Sequence, residues 1–401
     1  MSATSTADLS LFPYSQVKPQ SFRTSRQLNA LPATSPALRL NAICPYYTMF
    51  PLRFPLRVLG NATKGQSVID PFSGRGTTLF AARLLGLECT GIDSSPVAAH
   101  LSTAKLSLAD PTDVTALAEQ ALSIPAPSEE VPEGVFWDWA YAPGTLKQIC
   151  RIRGHLLDPS RLRIRPEHAD ALNLLRALMM GILHGPQTKR LPSYLSNQMP
   201  RTYATKPAAA VRFWEKRTMR PVEVPVLDVV ARRSAFTLMD LPPKSAGEVR
   251  QGDCREELTS ITDGKFDWVV TSPPYFGMRS YVPDQWLRNW FVGGSHDVEY
   301  SENGQLGGQR ENDFVQSLAD VWHKVSQNCA PTAKMVIRFG SLPSLKKDPA
   351  ALVKASLNES GAWKVSTIKS AGAAPSGRRQ ADQFSTTGGY VDEVDVWAKK
   401  I

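Results

Sequence analysis

The chain has 401 residues, 42% apolar and 21% charged, with a formal net charge of +9, enough for a sizeable core in two domains or in one domain carrying a large insertion. No run of eighteen apolar residues occurs, which excludes an ordinary membrane span, and "MSATSTADLSLFPYSQ" lacks the basic start and apolar segment of a secretory signal, so a cytoplasmic location is expected. The five cysteines (Cys44, Cys89, Cys150, Cys254 and Cys329) stand far apart with no CxxC pair, which reads as reduced structural thiols and excludes a zinc site or disulfide frame.

Residues 1–38 are rich in Ser, Thr, Pro and Ala and poor in large apolar side chains, which predicts a disordered tail. Order is expected to begin in "ICPYYTMFPLRFPLRVL" (43–59), an aromatic-rich turn leading into a short helix. Residues 66–95 read strand, glycine turn, helix, strand: Val68 and Ile69 end the first strand, 77–85 is helical, and "CTGID" is the second strand. Such a βαβ unit seeds a parallel sheet. A helix near 96–108 follows. Residues 109–245 then break the pattern, with many prolines, helical stretches such as "EHADALNLLRALMMGIL" and little strand character. Strand–helix alternation resumes at "EVRQGDCREEL" and "FDWVVTSPPY", followed by a helix ("NDFVQSLADVWHKVSQNC"), a strand ("AKMVIRFG") and a closing strand pair, "WKVSTIKS" and "VDEVDVWAKK". The expected architecture is one α/β domain over 39–108 and 246–401, interrupted by a basic, mostly helical insertion.

In "DPFSGRGTT", Gly74 and Gly76 follow the first strand and precede its helix. Glycines there let the backbone approach a ligand and aim helix N-terminal N–H groups at it. A dinucleotide fingerprint needs a third glycine at position 79, where Leu79 stands; a phosphate-binding loop needs Gly-Lys-Ser/Thr, and no lysine is present. Asp70, just before the turn, repels a phosphate and suits an ammonium group. Asp93 ends the second strand, where a carboxylate can hold two ribose hydroxyls, and Asp253 ends the third, where it can accept from an adenine amine. A cationic amino acid, a ribose and an adenine together describe S-adenosylmethionine. The cofactor set is then Asp70, Pro71, Phe72, Ser73, Gly74, Gly76, Thr77, Asp93, Ser94, Asp253 and Cys254. The alternative is a glycine turn serving backbone geometry alone, and three strand-end acids in register weigh against it.

"TSPPY" (271–275) closes another apolar strand. In an open parallel sheet, ligands bind beyond the carboxyl ends of the strands. An exocyclic amine on a nucleobase is a poor nucleophile, because its lone pair is delocalised into the ring. Two acceptors that hold the NH2 favour its pyramidal, nucleophilic form, and the Ser272 hydroxyl with the Pro273 carbonyl can be that pair. Pro273 and Pro274 fix the corner so that little reorganisation is needed. Tyr275 offers a face on which an extruded base can stack. A Pro-Pro turn used purely for geometry is the alternative.

Together, Phe72-Ser73-Gly74-Arg75-Gly76 and Ser272-Pro273-Pro274-Tyr275 resemble the paired signatures of the amino-group (cytosine-N4 and adenine-N6) DNA methyltransferases, an FxGxG loop and a (Ser/Asp/Asn)-Pro-Pro-(Tyr/Phe) corner. The resemblance covers about 40–108 and 247–400. It implies a Rossmann-like S-adenosylmethionine-dependent methyltransferase sheet, and a segment preceding the first strand that helps cover the methionine, matched here by Phe50 and Pro51. The Ser-Pro-Pro-Tyr form resembles the cytosine-N4 branch more than the adenine-N6 branch, in which Asp usually leads. Cytosine-C5 chemistry needs a Pro-Cys nucleophile, and no such dipeptide exists here. The family's target-recognition region lies outside the stretch joining the second and third strands, whereas the insertion here falls within it.

The basic excess sits in that insertion: residues 151–220 hold fourteen Lys and Arg against four Asp and Glu, a net of +10, which leaves the rest of the chain near neutral. "TKRLPSYLSNQMPRTYATKPAAAVRFWEKRTMR" mixes cations with Tyr194, Tyr203, Phe213 and Trp214 and with the amides Asn197 and Gln198. Cations meet phosphates, and Asn, Gln and Arg read base edges in a groove. Arg201, Lys206 and Arg212 are the candidate contacts to double-stranded DNA. Arg279, in the glycine-bracketed loop after the proline corner, and Arg378 and Arg379, in "SGRRQADQF", are further ones. A solvated charged surface is the alternative for the insertion. For the whole chain, the open alternatives are an adenine-N6 enzyme, an RNA methyltransferase and a catalytically silent DNA-binding subunit. A restriction endonuclease or defence-system partner is expected beside a modification role.

Overall fold

The computed structural model describes residues 21–46, 50–186, 191–196, 206–262, 264–277, 282–298, 310–341, 347–373 and 392–401. In chain order the elements are α1 (Ser25–Ala30), a 3-10 turn at Pro36–Ala42, α2 (Arg53–Leu59), β1 (Ser67–Asp70), α3 (Thr77–Leu85), β2 (Glu88–Asp93) and α4 (Pro96–Leu106). Among the described residues the α-helices that follow are α5 (Pro111–Ser123), α6 (Val135–Ala140), α7 (Pro143–Leu157), α8 (Ala169–Ile182), α9 (Pro207–Glu215) and α10 (Val226–Thr237). Then come β3 (Gly247–Gln251), α11 (Cys254–Glu257), β4 (Phe266–Thr271), α12 (Val282–Phe291), α13 (Glu311–Gln327), β5 (Cys329–Gly340), α14 (Pro349–Glu359), β6 (Trp363–Ala373) and β7 (Asp392–Lys400).

These elements form two compact units. The described residues of one fall within Ser21, Ala33–Cys44 and Leu108–Pro242, and those of the other within Phe22–Pro32, Pro45–Ser107 and Pro243–Ile401. The second is an α/β unit with a seven-stranded sheet in the order β3-β2-β1-β4-β5-β7-β6. The strands from β3 to β5 pair in parallel, and β7 runs antiparallel to both β5 and β6. This is the α/β Rossmann-like sheet that the alternation of strand and helix predicts. β1 lies between β2 and β4, covered on both faces, which is why its short run "SVID" needs Val68 and Ile69 fully buried. The chain builds outward from β1 through β2 to β3, then resumes at β4 on the other side of β1. The topological switch point therefore falls between β1 and β4, the place where such sheets bind ligands.

The core of this unit joins Ile69, Ile92 and Val269 of the sheet to Phe314, Leu318, Val321, Trp322 and Val325, one face of α13. Trp286 and Trp290 of α12 are likewise buried, as their four-residue spacing predicts for a packed helical face. Arg83 of α3 is wholly buried and donates to three carbonyls, those of Lys105 and Ser107 (both 2.7 Å) and Pro243 (3.1 Å). Residues 21–38 depart from the predicted tail. Thr24 and Gln27 form a reciprocal capping box on α1, and Leu28 is buried, so local hydrogen bonding and one apolar anchor order a segment whose composition suggests none. Residues 1–20 lie outside the described ones.

Among the described residues of the other unit, the regular elements are helices joined by turns and loops. α5 packs against α7, α8 and α10, and α6 packs against α9. Its centre includes Ile149, Leu174, Leu175, Met179 and Val229, all fully buried, so "LLRALMMGIL" is packing. All five cysteines of the chain are buried, and none is joined in a disulfide. No described helix is long and apolar enough to cross a membrane.

Candidate active site

The loop after β1 and the corner after β4 both belong to the α/β unit and flank its switch point. Two hydrogen bonds tie the loop to β2: the Ser73 N–H donates to the Ile92 carbonyl at 2.9 Å, and the Gly74 N–H donates to Asp93 Oδ2 at 2.8 Å. A third comes from α4, whose Ser102 hydroxyl donates to the Gly74 carbonyl at 3.0 Å. Gly74 and Gly76 have φ of +53° and +75°, a region that other residues enter only at a cost. Their surroundings differ. A Cβ on Gly76 would sit 2.8 Å from the Ser102 backbone, whereas a Cβ on Gly74 would meet nothing within 4 Å. Gly76 thus serves helix packing, and Gly74 fronts open space. Leu79, which stands where a dinucleotide loop carries a third glycine, packs against Gly91 of β2; a Cβ there would lie 2.7 Å from the Leu79 side chain. Close helix–strand approach is retained, with the small residue moved to the strand.

Asp70 is fully buried at the end of β1. Its Oδ1 accepts from the Thr271 hydroxyl at 2.6 Å and from the Phe72 N–H at 3.1 Å, while Oδ2 has no hydrogen-bond partner. Burial pushes the Asp70 carboxyl up to about 6, opposed chiefly by the Thr271 hydroxyl. A buried oxygen without a donor is an incomplete site, and an ammonium group supplies what it lacks. Asp93 Oδ1 accepts from the Ser95 N–H at 2.9 Å. With both oxygens already held by backbone, its carboxylate is fixed in place and keeps lone pairs for two further donors. Burial raises its carboxyl above the ordinary value, and the Ser95 and Gly74 N–H groups counter that. The S-adenosylmethionine expected from the sequence fits these residues: an open glycine face, an unpaired buried carboxylate oxygen and a rigid strand-end carboxylate.

Other predicted cofactor residues fall into more structural places. Pro71, Ser73 and Thr77 are buried in the loop and the start of α3, and Ser94 is exposed beside Asp93. Phe72 packs edge-on against Trp322, with ring centroids 6.1 Å apart, so it anchors the loop to the core. Phe50 stacks edge-on against Phe54 at 5.2 Å, which attaches its segment to α2. Asp253 caps α11 and forms an ion pair with Arg255, whose guanidinium holds its carboxyl below the usual range. Cys254 is a core residue, and burial raises its thiol to about 12.

At the corner, Pro273 is buried while Ser272, Pro274 and Tyr275 are half-buried. The Tyr275 ring packs edge-on against Phe339 at 5.2 Å, and its hydroxyl donates to Glu393 Oε1 at 2.9 Å. Of the predicted nucleic-acid contacts, Lys206 and Arg212 are exposed at the start and on the flank of α9 in the helical unit. Arg201, Arg279, Arg378 and Arg379 lie outside the described residues, as do Tyr203, Asn197 and Gln198. Sequence reasoning passed over Thr271, Ser102 and Glu393. Thr271 stands inside the quoted corner, but its partner Asp70 is two hundred and one positions away, and nothing local signals that contact.

The DNA methylase family model of N6 and N4 enzymes matches residues 10–104. The chain is 22% identical over 280 residues to the type II methyltransferase M.BsoBI of Geobacillus stearothermophilus, covering 66% of this chain and 54% of that protein. It is 28% identical over 90 residues to the type II methyltransferase M.SmaI of Serratia marcescens, covering 22% of this chain and 24% of that protein. The chain thus spans about half or less of the length of these curated relatives. Among solved structures, an rRNA methyltransferase, AviRa, from Streptomyces viridochromogenes aligns over 95% of this chain and 96% of its own, at 14% identity and a TM-score of 0.34. A geranyl diphosphate methyltransferase aligns over 87% of this chain and 78% of its own, at 10% identity and a TM-score of 0.31.

Proposed function

We propose, from the premise that this chain belongs to the amino-group DNA methyltransferase family, that it methylates the exocyclic N4 of cytosine in duplex DNA. The observation that carries this reading is the pairing of two loops at one switch point. The loop after β1 offers an open glycine face and two fixed carboxylates, and the corner after β4 offers the half-buried Ser272 beside the Pro273 carbonyl. S-adenosylmethionine, when bound, supplies an electrophilic methyl carbon on a sulfonium, whose S–C pair stays with sulfur as the amine lone pair forms the new N–C bond.

Asp70 Oδ2 would hold the ammonium of the cofactor, and Asp93 would hold its ribose hydroxyls. Asp253, already paired with Arg255, takes the adenine amine with whatever capacity the ion pair leaves. At the corner, the Ser272 hydroxyl and the Pro273 carbonyl hold the two amine hydrogens, and Tyr275 stacks on the extruded base. The amine gives up one of its two protons, to solvent water, only after the nitrogen has become cationic, so no strong base is needed. The helical unit is the target-recognition region, meeting duplex phosphates through Lys206, Arg212 and the neighbouring cations. A modification role in the cytoplasm, beside a restriction endonuclease or a defence system, belongs to the same proposal. The adenine-N6 reading is the alternative, since the same pair of acceptors suits an adenine amine.

Nucleoside mass spectrometry of DNA treated with the protein and labelled cofactor is the test. N4-methylcytosine is expected; N6-methyladenine alone overturns the base, and label only in RNA overturns the substrate class. Ser272→Ala is expected to slow methyl transfer by about ten- to a hundredfold, as for a hydrogen bond used in the reacting complex. Its cofactor affinity should stay close to that of the wild type in calorimetry.

A further inference from the structure

We infer that Glu393 is a positioning residue, which sets the plane of the Tyr275 ring by accepting its hydroxyl; this rests on the proposed role of Tyr275 as the surface on which the base stacks. The Tyr275 hydroxyl donates to Glu393 Oε1 at 2.9 Å, and Glu393 is only 8% exposed. A carboxylate so far out of water is costly unless it is partnered, so the contact has strong reason to persist. The ring is fixed a second time by its edge-on packing against Phe339. Held at its hydroxyl and along its side, the ring has little freedom left to turn.

The sheet makes room for this arrangement. Glu393 lies opposite Gly340 of β5 on one side and opposite Gly372 of β6 on the other. Directly opposed residues of antiparallel strands project to the same face. With glycine on both flanks, neither directly opposed residue puts a side chain beside the carboxylate. β7 is also a rigid mount. Two positions along, on the same face, Asp395 takes a bidentate pair from Arg338 (2.8 and 2.9 Å) and a third hydrogen bond from Arg57 of α2 (2.8 Å). Glu393 thus stands at the end of an anchored strand and passes that rigidity to a side chain in the loop after β4. Rigidity matters because a stacked base must present its amine along the line of methyl transfer, and a ring that tilts carries the amine off that line.

The test compares Glu393→Ala, Glu393→Gln, Tyr275→Phe and the double variant Tyr275→Phe/Glu393→Ala. Transfer of labelled methyl from S-adenosylmethionine to unmethylated genomic DNA is measured, alongside cofactor affinity by calorimetry and thermal melting. Glu393→Ala and Tyr275→Phe should each lower the transfer rate by about tenfold, as for removal of a hydrogen bond to a charged group, with cofactor affinity unchanged. Glu393→Gln keeps an acceptor oxygen and should recover most of the rate. The double variant should be no slower than the slower single variant, because both remove one interaction. If Glu393→Ala does not fold, Tyr275→Phe and Glu393→Gln still carry the test. Wild-type transfer by Tyr275→Phe, or multiplying losses in the double variant, overturns the positioning role and leaves the methyltransferase reading standing. Failure of the wild type to methylate any DNA overturns both.

Discussion

The α/β unit and the helical unit solve opposite electrostatic problems. In the first, the groups assigned to chemistry are few, buried or half-buried, and fixed by hydrogen bonds: Asp93 by two N–H groups, Asp70 by one N–H and one hydroxyl. In the second, the charges are many and lie at the surface; Lys206, Arg212, Lys216, Arg217 and Arg220 are all exposed or partly so. Arg217 lies over the Phe213 ring and Arg220 over Trp139, at 3.9 and 3.8 Å from the centroids, so even these cations rest on aromatic faces while staying in reach of water. A reacting centre needs fixed dipoles in a dry setting, since mobile groups must reorganise as charge develops. A polyanion is met by a field of hydrated cations whose individual positions matter little. The difference teaches that the two halves of the proposed activity should fail in different ways.

The largest expected effect is on the fixed side. Asp93→Ala removes an acceptor for the ribose and frees two backbone donors, so cofactor affinity should drop about ten- to a hundredfold in calorimetry. Unchanged affinity in a folded variant would detach the loop from the cofactor. Next in size is a pH effect. Because the Asp70 carboxyl is raised to about 6, it is ionised at neutral pH and protonated below. Its attraction for an ammonium therefore disappears as pH falls, and cofactor affinity should weaken by up to about tenfold per unit below that value. Asp70→Asn should show no such dependence over the same range. Smaller still is the contrast between the two glycines. Gly74→Ala should cost about 1–2 kcal/mol of stability for its positive φ, and should weaken cofactor binding because the methyl fills the open face. Gly76→Ala should show its main loss in thermal melting, since its methyl meets the Ser102 backbone. The smallest effect belongs to the exposed side. Neutralising Lys206 and Arg212 together should weaken DNA binding evenly across sequences and flatten the log-affinity against log-salt plot by about 0.9 for each phosphate that is no longer neutralised. An unaltered slope would return α9 to the status of a solvated surface.

The same contrast governs what was legible in the sequence. The α/β unit announces itself, because strand-end glycines and prolines punctuate apolar runs whose periods differ; α3 falls on 77–85 as its pattern predicts. The glycine loop, Asp93 and the corner were visible as local patterns. Their supports were not. Thr271 reaches Asp70, Ser102 reaches Gly74, and Glu393 reaches Tyr275 across 201, 28 and 118 positions, and such contacts leave no mark in a local pattern. Asp253 shows the reverse error. Its place at a strand end suggested a ligand, while Arg255, only two residues on, already satisfies much of its carboxylate. In the helical unit, charge was countable but geometry was not, since helices with proline starts at Pro111, Pro143 and Pro207 offer no strand register to order them.

Arg83 carries a consequence for how the chain is assembled. Its guanidinium binds the carbonyls of Lys105, Ser107 and Pro243, so the point where the chain leaves the α/β unit and the point where it returns are gathered on one buried side chain. Everything from 108 to 242 is then a closed loop whose ends the host already holds together. For such a loop, doubling the length costs only about 0.6 kcal/mol of closure entropy. The sheet can therefore exchange one intervening segment for another of different length and shape with little penalty to itself, provided the arginine and its three carbonyls are kept. A single guanidinium makes the splice point of the molecule tolerant of what is spliced in.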